Sequence, residues 1–142
     1  VATEFNCTLS DSSAGLQAMM DAAEAFLADN AIPDRTAARI LIALDEIVSN
    51  IFAHGVREGE PTVAVGLRIV EGRIAGEIVD DGIAFDPLAA APPDTGLSLE
   101  DRPIGGLGLH IVRETMDEIR YDRDHGRNRL RFHKMFALRD SD

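Results

Sequence analysis

The sequence predicts a two-layer α/β sandwich of the α+β class, a mixed and mainly antiparallel sheet with helices on one face. Three observations carry this reading. Alternating strand patterns come in pairs joined by glycine-containing turns, at Glu71-Gly72 and near Gly126, as hairpins require. Two long helical patterns follow one another between the first strand and the first hairpin instead of alternating with strands. The 142 residues, 45% of them apolar, supply one core, so 1–142 reads as a single domain.

Glu4 to Ser10 alternates, with Phe5, Cys7 and Leu9 on one side, as a half-buried first strand does. Ser10, Asp11, Ser12 and Ser13 are all residues that cap a following helix. In that helix Leu16, Met19, Met20, Ala23, Phe26 and Leu27 form an apolar face, with the methionines as core filler. Asp29 to Pro33 connects to a second helix, whose first turn suits Pro33 and whose end is marked by Gly55. Gly59-Glu60-Pro61 is a turn. Thr62 to Val70 then alternates strictly, and Arg73 to Val79 returns as its partner strand. Between Pro87 and Pro103 lie four prolines and no usable period, the pattern of a functional lid, placed at about 86–104. A glycine-rich stretch opens a third helix with Leu109, Val112 and Met116. Ile119 to Asp122 and Asn128 to Phe136 close the chain as a hairpin across Asp124-His125-Gly126-Arg127.

Composition excludes several functions. A net charge of −11 argues against a nucleic-acid surface or an anionic membrane. Lys134 is the only lysine, and it lies late in a strand. That removes the Gly-Lys-Ser/Thr phosphate loop and the eukaryotic-type kinase arrangement, so a nucleotide must be held another way. Cys7 is alone, which rules out a disulfide framework and a thiolate metal cluster and fits a reducing cytoplasm. No signal, membrane-spanning or lipidation segment is read from the sequence.

Three stretches carry chemistry. In the second helix Ile40, Leu44, Ile47, Val48 and Ile51 form the buried stripe, while Glu46, Asn50 and His54, four apart, form a polar stripe beside it. An amide oxygen can ligate Mg²⁺ and a carboxylate can orient a hydroxyl, against the plain reading of a solvated flank. Asp80, directly after the return strand Arg73 to Val79, shares strand parity with Ile74 and Ile78 and therefore points inward. A buried carboxylate needs donors; adenine's exocyclic amine is one, and guanine's carbonyl is not. Gly82 would let the backbone approach a flat ring, against the plain reading of an Asp-Gly turn. Gly105-Gly106-Leu107-Gly108-Leu109 opens a helix whose exposed amides and dipole can bind phosphate without lysine, against the plain reading of glycines that give the lid flexibility. Arg102 and Arg113 can add charge there, or be solvated surface arginines.

Together, Glu46-x-x-x-Asn50-x-x-x-His54-Gly55, Asp80-x-Gly82-x-Ala84 and Gly106-x-Gly108-Leu109 resemble the GHKL (Bergerat) ATP-binding fold of gyrases and histidine kinases. The likeness is greatest to its stand-alone branch, the serine kinases that act as anti-sigma factors in bacterial partner switching. That branch shows the Met116-Asp117-Glu118 segment and the Gly126-x-Asn128-x-Leu130 hairpin end. The resemblance covers roughly Phe5 to Phe136. It implies ATP and Mg²⁺ as cofactors, with Asn50 as metal ligand and Glu46 as catalytic base or orienting acid. It implies Asp80 on the adenine amine, Gly82 and Ala84 at the adenine pocket, and Arg102, Gly105, Gly106, Leu107, Gly108 and Leu109 around the phosphates. Ala84 stands where many relatives have a second glycine. His54 is typical of the branch, as a cap or hydrogen-bonding support and not a metal ligand. The implied activity is a cytoplasmic serine/threonine kinase acting on a STAS-domain anti-anti-sigma protein. Its second partner would be a sigma factor or equivalent regulator, and its assembly state a homodimer. The rival is an ATP-gated binding module that sequesters a partner without turnover.

Overall fold

The computed structural model of the chain describes residues 2–54, 59, 61–89 and 106–136. The elements run β1 (Glu4–Leu9), α1 (Ala14–Asp29), α2 (Asp34–His54), β2 (Val63–Val70), β3 (Arg73–Asp80), a 3₁₀ turn (Pro87–Ala89), α3 (Gly106–Thr115), β4 (Glu118–Asp124) and β5 (Arg127–Met135). The five strands form one sheet in the order β1-β2-β3-β5-β4, and each of its four ladders is antiparallel. The mainly antiparallel sheet expected from the sequence is therefore antiparallel throughout the described residues. β5 inserts between β3 and β4, so the last hairpin folds back into the sheet beside the strand that carries Asp80.

Alternation decides the two faces. Val63, Val65 and Leu67 of β2, Ile74 and Ile78 of β3, and Leu130 and Phe132 of β5 are buried under the helices. Glu4, Arg68, Arg73, Arg120 and Arg131 stand exposed on the other side. Gly76 makes room for Phe132: a Cβ there would lie 2.2 Å from the ring, closer than packed carbons approach. Both hairpin turns have two residues at positive φ, Glu71 (44°) with Gly72 (79°) and His125 (52°) with Gly126 (75°). That backbone matches the twist of the flanking strands, which is why glycine fills the second position of each.

The helices differ from the sequence reading only at their ends. Ser13 stands at the N-cap of α1 but makes no side-chain capping bond. Asp11 does that work instead, its Oδ1 accepting from Gly15 N (2.9 Å) and Ser13 N (3.2 Å). Those bonds, Gly15 first, hold its carboxyl below the usual range. Pro33 precedes α2, its carbonyl accepting from Ala37 N (2.9 Å). In α1 Met19 is fully buried, and in α2 Ile40, Leu44 and Val48 are too. The expected end signal at Gly55, and the expected lid beyond Ala89, lie outside the described residues. No helix among the described residues is long and apolar enough to cross a membrane.

Candidate functional site

Where α2 and α3 cross the end of the sheet that holds Asp80, a cleft is lined mainly by Ile47, Ile51, Ile78, Ile83, Phe85, Pro87, Leu109 and Leu130. Polar side chains enter it at Asn50, Asp80, Tyr121 and Asn128. The sequence patterns on α2 and β3, far apart in the chain, thus meet at one apolar site. The cleft is narrow, with about 20 Å³ of open space. A larger trough of about 550 Å³ lies on the opposite, helix-free face of the sheet. Its charges include Glu77 with Arg131 (3.0 Å) and Glu118 with Arg120 (3.1 Å), and it contains none of the motif residues.

Asp80 is 4% exposed. Its Oδ1 accepts from Gly82 N (2.9 Å) and from Asn128 Nδ2 (3.0 Å). Among the described residues no donor reaches Oδ2, so the carboxylate keeps one acceptor for a ligand. Burial pushes its pKa up, opposed by the Asn128 and Gly82 bonds and by the charge of Arg123. Asn128 is 6% exposed and is the centre of the network. Its Nδ2 also donates to Ile83 O (2.7 Å), and its Oδ1 accepts from Tyr121 Oη and from Phe85 N (3.3 Å). Arg123 donates to Gly82 O (2.9 Å). The segment after β3 is therefore tied to β4 and β5 by its backbone at three points: Gly82, Ile83 and Phe85.

On α2, Asn50 is buried and Glu46 half-buried one turn before it. Asn50 Nδ2 donates to Glu46 O (2.6 Å) and, at 3.4 Å, to Glu46 Oε1. With its amine used locally, Asn50 presents a carbonyl oxygen, a hard ligand suited to Mg²⁺. Among the described residues no three His, Cys, Asp or Glu side chains cluster to cage a metal. A cation held by Asn50 would take its remaining ligands from phosphate and water, as Mg²⁺ does on a nucleotide, so the donor set fits. Burial raises the Glu46 pKa, the Asn50 bond lowers it and nearby Asp45 raises it, for a net upward shift.

The other motif residues fall into three groups. Leu109 is buried and lines the cleft, and Gly106, Leu107 and Gly108 form the first turn of α3, where amides lack helical partners. Gly82 and Ala84 do not line the cleft: Gly82 is buried in the turn that bonds Asp80, and Ala84 is exposed. Arg102 and Gly105 lie outside the described residues, and Arg113 is exposed on α3. His54 is exposed at the end of α2 and stacks on Phe85, ring centroids 5.7 Å apart. No role was read from the sequence for Asn128, Tyr121, Arg123 or Phe85. A signal was present for Asn128: it shares parity with Leu130 and Phe132, so it had to be a buried amide in need of partners.

Residues 9–134 match the histidine kinase-like ATPase domain family. The chain belongs to that family. It is 35% identical over 105 residues to the serine/threonine-protein kinase BtrW of Bordetella bronchiseptica, covering 70% of this chain and 74% of that protein. It is 30% identical over 89 residues to the serine-protein kinase RsbW of Bacillus thuringiensis, covering 60% of this chain and 56% of RsbW. RsbW of Bacillus cereus matches to the same extent. The chain thus sits among the serine/threonine-protein kinases of the GHKL type, as its three motifs implied.

Proposed function

We propose that the protein is an ATP- and Mg²⁺-dependent kinase that phosphorylates a serine or threonine of a small STAS-domain anti-anti-sigma protein in the cytoplasm. Its second, mutually exclusive partner is a sigma factor or equivalent regulator. The observation that carries this reading is the pairing, at one apolar cleft, of a buried carboxylate whose Oδ2 has no donor among the described residues and an asparagine presenting a carbonyl oxygen.

Asp80 Oδ2 accepts the adenine amine, while Ile78, Ile83 and Leu130 exclude water around the ring. The amides of Gly106 and Gly108 hold phosphate at the positive end of α3. Asn50 would hold Mg²⁺, which when bound neutralises charge on the phosphate oxygens. Glu46 takes the proton of the attacking serine or threonine hydroxyl. Its burial-raised proton affinity suits that task, because a base is most effective when its pKa approaches the working pH. Phosphoryl transfer demands little more than positioning and charge neutralisation, which this site can supply without lysine.

The test is incubation of the purified protein with Mg²⁺ and γ-labelled ATP beside candidate STAS-domain proteins. Label on a serine or threonine of one of them is the expected result. Binding of ATP and partner without transfer would make the protein an ATP-gated binding module instead.

A further inference from the structure

We propose that Asn128 is a specificity-determining positioning residue: it occupies one oxygen of Asp80 from inside the protein, so that only an acceptor oxygen faces the base edge and only an N–H donor is accepted there. The inference rests on the reading of Asp80 as the adenine-binding residue and adds what makes that residue selective.

Asparagine has two N–H donors and two acceptor lone pairs on its side chain, and at Asn128 all four are used. Nδ2 donates to Asp80 Oδ1 and Ile83 O; Oδ1 accepts from Tyr121 Oη and Phe85 N. This fixes which way the amide points. Reversed, its oxygen would face Asp80 Oδ1 and Ile83 O, acceptor against acceptor, and its amine would face the Phe85 N–H, donor against donor. Asn128 therefore has nothing left for a ligand and acts through Asp80.

The effect on Asp80 is both geometric and chemical. Gly82 N and Asn128 Nδ2 converge on the same oxygen, so the carboxylate cannot rotate to exchange its oxygens without breaking both bonds. Both bonds also favour the ionised form, against the burial that favours the protonated one. An ionised Asp80 is an acceptor only and repels a carbonyl at the base edge. A protonated Asp80 has an O–H and can donate to that carbonyl. Around the pair, Arg123 of β4 supports the charge, Asp81 opposes it, and Tyr121 of β4 bonds to Asn128 rather than to Asp80. Removing the Asn128 donor leaves only Gly82 N and the charge of Arg123 to hold the carboxylate ionised against burial.

The experiment compares ATP with ITP, which carries a carbonyl in place of the amine, by calorimetry on the full chain. The unmutated protein should prefer ATP by about 10-fold or more, the scale of one hydrogen bond to a charged group. Asn128→Leu and Asn128→Ala both remove the donors, one by apolar replacement of similar size and one by truncation. In either, the ATP:ITP ratio should fall to within a few-fold of unity, and in Asn128→Ser, which restores a hydroxyl donor, it should recover. A purely structural Asn128 would lower the melting temperature and weaken both nucleotides together; that unchanged ratio in a folded donor-less variant overturns the proposal. A measurement on the unmutated protein does not depend on any variant folding. The Asn128 side-chain amide resonances should keep their hydrogen-bonded signature when ATP binds, and a bond from that amide to the base would overturn the positioning role. If the unmutated protein binds neither nucleotide, the adenine reading itself fails; if it binds ATP selectively and the folded variants do too, only this inference fails.

Discussion

Asp80 on β3 and Asn50 on α2 line one cleft, with Glu46 one turn before Asn50 and outside the lining, and the two arrangements are built in opposite ways. Asp80 is held by groups from three segments: its own turn, β5 through Asn128, and β4 through Tyr121 and Arg123. The α2 pair is held by one helix, with a side-chain contact of 3.4 Å and a half-buried carboxylate. The first arrangement spends its hydrogen bonds within the protein on Oδ1 and, among the described residues, leaves Oδ2 without a donor. The second leaves both functional oxygens able to respond to what binds. A group that recognises a rigid base gains from being fixed in advance, because little ordering remains to be done on binding. A group that must take a proton as a phosphoryl group moves needs proton affinity and access instead.

The contrast breaks most visibly under Glu46→Gln. Losing the base while keeping its shape should cut transfer to the partner by about 10²-fold or more, with ATP affinity unchanged to within a few-fold. A quench-flow assay at saturating ATP reads the first and calorimetry the second. Normal transfer by this variant would remove Glu46 from the chemistry.

Asp80→Asn should show the reverse split. Asparagine's oxygen can still accept from Gly82 N and Asn128 Nδ2, but its amine then occupies the place of Oδ2 and faces the adenine amine. ATP affinity should fall by about 10- to 100-fold, the cost of losing a charged acceptor and opposing two donors. Transfer measured at saturating ATP should stay within a few-fold of normal. Unchanged affinity in the folded variant would sink the adenine assignment.

The same contrast explains what was legible in the sequence. Glu46 and Asn50 are four residues apart on a helix, so their alignment follows from spacing alone. The inward direction of Asp80 follows from strand parity with Ile74 and Ile78. The partners of the Asp80 segment do not: Asn128 is 48 residues from Asp80, and Arg123 is 41 from Gly82. They meet because β5 lies between β3 and β4 with Asp80 opposite Asn128. That register is a tertiary choice, and no local window contains it. The α1 cap shows a smaller case. Four adjacent residues were all able to cap, and only the folded loop selects Asp11 over Ser13.

The smallest expected effect is on stability, and its sign separates a group placed for the fold from one placed for a ligand. Burial raises the folded-state pKa of Asp80 above the unfolded value of about 3.9, so the folded protein binds this proton more tightly than the unfolded chain does. Stability from this group is then fully present below the unfolded pKa and declines as pH rises through the window up to the folded pKa. Above that window the loss is constant. Asp80→Asn has no such proton to lose, and it can keep both bonds made to Oδ1. Urea denaturation of the two proteins from pH 3 to pH 8 isolates this one group, since every other carboxyl titrates in both. The variant should gain on the unmutated protein as pH rises and then hold a constant lead, even though it binds ATP more weakly. A variant that instead loses ground as pH rises would mean that the bonds from Asn128 and Gly82 outweigh burial, making the Asp80 carboxylate a net support of the fold.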